Sequence, residues 1–60
     1  MRARSDRLQD LLKHEVAFMR MAVAELRRVA DECSPETAPR VRQIADKIHA
    51  DADALEREAG

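Results

Sequence analysis

Both prolines of the chain fall in the nine residues Glu32–Arg40, ECSPETAPR, while the arms on either side repeat apolar residues at three- and four-residue spacing. Proline removes a backbone donor and crowds the preceding helical turn, so no helix runs through this stretch. The spacing therefore predicts a chain folded in half as one domain over residues 1–60: a helix over about 5–33, a turn over 34–37 and a helix over about 38–58. Ser34, with Pro35 and Glu36 behind it, has the residue types of a helix N-cap, and so does Thr37. Thr37 is favoured, because Pro39 then sits in the first turn, where its missing N–H leaves no bond unmade. Ser34 to Glu36 would form a tight turn ahead of it.

Ser5 is the expected cap of the first helix, with Met1 to Arg4 frayed ahead of it. Beyond it Leu8, Leu11, Leu12, Val16, Met19, Ala22, Val23, Leu26, Val29, Ala30 and Cys33 project to one side, with Phe18 at the margin. This stripe covers roughly half the circumference, wider than the seam one partner helix closes. In the second helix Val41, Ala45, Ile48, Ala52, Leu55 and Ala59 alternate steps of four and three beside Ile44, small residues between large ones.

A chain of 60 residues buries only about 60% of its unfolded surface, so a lone hairpin is marginal. Cys33 is the only cysteine and excludes an internal disulfide, and no Cys/His spacing suggests structural zinc. Self-association is the remaining supplement. The expected fold is all-α, an antiparallel two-helix hairpin assembling into a homodimeric four-helix bundle. Its interface is expected to draw on Leu12, Val16, Met19, Val23, Leu26, Ala30, Val41, Ala45, Ile48, Ala52 and Leu55. Dimer versus tetramer, and the topology of the bundle, stay open at this point.

Net charge is −1 with 38% charged residues, and Phe18 is the only aromatic, which excludes a strongly basic nucleic-acid binder and a base-stacking platform. Charges throughout the first twenty residues argue against a signal peptide or membrane span, so a cytoplasmic location is expected. Arg2, Arg4 and Arg7 start the first helix while Asp51, Asp53, Glu56 and Glu58 end the second, each cluster opposing its own helix dipole. Folding back sets the basic start beside the acidic end.

Few residues suggest chemistry. Glu15 projects into the apolar stripe with His14 beside it, which makes the two candidate ligands for a divalent metal; the plainer alternative is a carboxylate reaching the bundle edge or an arginine. Cys33 has no histidine near it in sequence and reads as a small buried hydrophobe. His14 and His49 read as solvated, His49 within reach of Asp53. Lys13, Arg20 and Arg27 recur every seven residues as a basic ridge that could meet phosphates, or pair with Asp53, Glu56 or Asp31. There is no Ser/His/Asp arrangement and no glycine loop, so no enzyme and no cofactor are expected.

The hairpin and the stretch Ile48-His49-Ala50-Asp51-Ala52-Asp53-Ala54-Leu55 resemble the second helix of the Rop family of plasmid copy-control proteins. That likeness implies an antiparallel dimer of helical hairpins binding paired RNA loops through its first helices, with Lys13, Arg20 and Arg27 as the matching ridge and Phe18 displaced to the opposite margin. A second resemblance, through His14, Met21, Ala22 and Val41-Arg42-x-Ile44-Ala45-x-x-Ile48, is to a ferritin-like bacterial family of unknown function, with Glu15 in place of a histidine. It implies a metal site at His14 and Glu15. The expected role is a non-enzymatic interaction or regulatory module whose partner is itself or another protein; RNA binding and metal binding are the alternatives.

Overall fold

A computed structural model describes the backbone of residues 2–59 and the side chains of residues 6–58. Helix α1 spans Arg2–Glu32 and helix α2 spans Ala38–Ala59, and the two pack side by side as a hairpin. α1 begins earlier than its capping residue suggested. Arg2, Ala3 and Arg4 are helix formers, so the helix extends through them and Ser5 lies within it rather than at its cap. The side chains of Arg2, Arg4 and Ser5, with Ala59 of the apolar seam, lie outside the described side chains.

The turn is built in two steps. The Ser34 carbonyl accepts the N–H groups of Thr37 and Ala38 at 3.0 and 2.9 Å, closing a tight turn through Pro35 and Glu36. The Thr37 carbonyl then accepts from Arg40 and Val41 at 3.0 and 3.2 Å, which makes Thr37 the N-cap position and places Pro39 in the first turn of α2. The hydroxyls divide the remaining work. Ser34 Oγ accepts the Thr37 N–H at 3.3 Å and donates to Thr37 Oγ1 at 3.1 Å, so serine supports the turn and threonine starts the helix.

Among the described residues six are buried: Val16, Val23 and Ala30 on α1, and Ala38, Ala45 and Ala52 on α2. Each set steps by seven, the repeat of two helices in sustained antiparallel contact. Four of the six are alanines and none is larger than valine, which permits a close approach of the two helices along this seam. That closeness has a consequence for the larger residues. Leu12, Met19, Leu26, Val41, Ile48 and Leu55, one row out, are only half-buried, and among the described residues no large side chain is fully enclosed. The hairpin measures 51 × 14 × 10 Å with a radius of gyration of 14.6 Å, against about 10 Å for a compact domain of this length. Among the described residues no helix is long and apolar enough to cross a membrane.

Candidate functional site

The hairpin has two unlike faces. Going round α1 from Val23 at 100° per residue, one direction meets Arg20, Arg27 and Lys13, and the other meets Leu26 and Met19, then Leu8, Glu15 and Ala22, then Leu11, Val29 and Phe18. On α2 the two directions from Ala45 give Arg42, His49 and Asp53, or Val41, Ile48 and Leu55 followed by Ile44 and Asp51. Ion pairs decide how the flanks combine. Arg20 Nη2 lies 3.0 Å from Asp53 Oδ1 and also donates to Glu56; Arg27 is 3.4 Å from Asp46, and Arg42 is 2.9 Å from Asp31. The charged flanks therefore share one face, and the apolar flanks share the other.

The charged face is internally paired. Arg20, Arg27 and Arg42 stand against Asp31, Asp46, Asp53 and Glu56, with His49 Nε2 at 3.5 Å from Asp53 Oδ2. The pairs are at least one-third exposed and therefore screened, so they fix the register of the helices more than they hold them together. As α1 advances from Arg20 to Arg27 its partner steps back from Asp53 to Asp46, one antiparallel register throughout. Two of the three ridge residues singled out for phosphate binding, Arg20 and Arg27, thus already face carboxylates. An RNA backbone would have to displace those intramolecular partners; Lys13 is exposed.

The hydrogen bond from the Arg20 guanidinium holds the Asp53 carboxyl below the usual carboxylate range against partial desolvation, and the charges of His49, Arg20 and Arg57 act in the same direction. A carboxylate with a depressed pKa contributes stability above its unfolded-state pKa and loses it as pH falls through the lowered folded value. Asp53→Asn should therefore melt below the parent chain at neutral pH, and the two melting temperatures should converge in acid, below the ordinary aspartate range. Thermal denaturation followed by circular dichroism across pH 2 to 7 checks this; a constant difference at every pH would remove the ion pair as its cause.

His14 and Glu15 are both exposed. Neighbours on a helix point about 100° apart, so Glu15 looks onto the apolar face while His14 turns away from it. Among the described residues no group of three or more His, Cys, Asp or Glu side chains gathers to hold a metal ion. Cys33 is half-buried at the turn end of the α1 seam.

The interface residues expected from sequence divide into two sets. Val16, Val23, Ala30, Ala45 and Ala52 are already enclosed between the helices of one chain, together with Ala38, which periodicity alone did not single out at the first position of α2. Leu12, Met19, Leu26, Val41, Ile48 and Leu55 border the open face. Around them Leu8, Leu11, Phe18, Val29 and Ile44 are between 43 and 67% exposed, a run of large apolar side chains down one side of the rod. Met21, 69% exposed, stands alone on the back of α1. No family model, curated protein or solved structure matches the chain.

Proposed function

We propose that the chain is a small, non-enzymatic helical-hairpin interaction module that acts in the cytoplasm and self-associates through its open apolar face, two hairpins making a four-helix bundle. The supporting observation is an area. The hairpin exposes 5027 Å², whereas a compact monomer of this mass exposes about 4,000 Å². The excess of about 1,000 Å² per chain is close to the ~800 Å² per partner that a stable interface removes from water. The open face carries Leu8, Leu11, Phe18, Val29 and Ile44, exposed large apolar side chains of the kind that mark an interaction site.

Sedimentation equilibrium at micromolar concentration is expected to return a dimer. Ile44→Glu, in the middle of the open face of α2, should raise the dissociation constant about a hundredfold or more, because it sets a carboxylate in the apolar contact. Met21→Glu on the back of α1 should leave it unchanged. A parent chain that stays folded and monomeric at every accessible concentration would remove the basis of the proposal.

A further inference from the structure

Resting on the self-association reading, we propose that α2 carries its specificity: two copies meet α2 against α2, antiparallel, with Arg40 facing Glu58 of the second copy and Lys47 facing its Asp51. At 100° per residue these four charges lie within about 40° of one another on the outer edge of the apolar face, flanking Ile44, Ile48 and Leu55. All four are exposed, and among the described residues none enters an ion pair within the chain. Their order is basic, basic, acidic, acidic. Arg40 and Glu58 stand nine residues on either side of His49, and Lys47 and Asp51 stand two on either side. A two-fold axis at His49, near the middle of α2, brings both unlike pairs into register at once.

The same order is unfavourable for a single helix. Arg40 lies in the first turn of α2, which holds no acidic residue, and Glu58 lies near its C-terminus, so each opposes the helix dipole. An antiparallel second copy sets the basic start of α2 beside an acidic end and relieves both. The competing arrangement, with both turns at the same end, lays α2 on the α1 of the second copy. There Lys47 finds Glu25, which Arg28 already holds, while Asp51 and Glu58 meet a helix face whose other charge past Arg7 is Glu15, because Arg20 and Arg27 lie on the opposite side held by α2. Like charges across a contact disfavour that pairing.

Two measurements test the pairing. In the first, a spin label on the native Cys33, beside the turn, reports where the turns lie in the dimer with no residue substituted. Opposed turns put the labels roughly 30 Å or more apart, from a rise of 1.5 Å per residue either side of the axis. Turns at one end would bring them within about 15 Å, the diagonal of a bundle with 8–10 Å between axes, and would overturn the proposal. In the second, Arg40→Glu with Lys47→Glu gives an all-acidic edge, and Asp51→Lys with Glu58→Lys an all-basic one. Each variant alone should self-associate at least about tenfold more weakly than the parent, and an equimolar mixture should recover the loss as a heterodimer. Unchanged self-association of both variants would overturn the proposal even with the parent dimeric, whereas a monomeric parent would sink the self-association reading itself.

Discussion

Ala45→Leu is expected to destabilise the chain by about 1–3 kcal/mol even though it adds apolar volume. Ala45 and Ala52 are completely enclosed between the helices, and α2 meets α1 through a row of alanines at seven-residue spacing. Three extra carbons at that point either force the axes apart along the whole seam or push neighbouring side chains off their rotamers. The loss would be a large share of the stability available to so short a chain. Ala50→Leu, the same change at an exposed position of α2, should fall within about 0.5 kcal/mol of the parent. Urea denaturation of the two variants checks the contrast. Equal midpoints would mean that alanine at position 45 is not what sets the distance between the helices.

Leu26→Ala should show a cost that depends on assembly. Leu26 is half-buried in the single hairpin, so truncation there removes only part of a leucine's burial, roughly 1 kcal/mol. Covered by a second copy it would be fully enclosed, and the cost should rise to about 2–5 kcal/mol. Because the dimer is stabilised by mass action, the difference in midpoint between parent and variant should widen as protein concentration increases. Denaturation series at low and high micromolar concentration measure it. A small, concentration-independent difference would place Leu26 at a permanent solvent boundary and weaken the case for a covered apolar face.

The turn shows how directly some of the chain can be read. Pro35 and Pro39 rule out a continuous helix, and only Thr37 as N-cap lets Pro39 sit where no intrahelical donor is required; the bonds to the Thr37 carbonyl place it there. Ser5 shows the opposite case. A capping residue marks where a helix is able to start, but Arg2, Ala3 and Arg4 offer nothing that stops one, and α1 runs through them. Local chemistry proposes an end, and the neighbouring residues decide whether it is used.

The candidate face divides in the same way. Heptad and helical spacing were enough to identify which side of each helix is apolar, because 100° per residue follows from backbone geometry alone. Spacing could not say which part of a half-circumference stripe the other helix of the same chain would take. That was decided by side-chain volume across the contact. Val16, Val23, Ala30, Ala38, Ala45 and Ala52 permit the closest approach and became the intrachain seam, leaving Leu8, Leu11, Phe18, Val29 and Ile44 outside it. The basic ridge was equally visible as a periodicity, but its neutralisation was not, since Arg20 and Asp53 are 33 residues apart and meet only because the chain folds back. Two amphipathic helices and the turn between them thus follow from local sterics and hydrogen bonding along the chain. Which apolar residues the hairpin keeps and which it leaves open is set only when the helices pack, because that choice depends on how closely two helix surfaces fit.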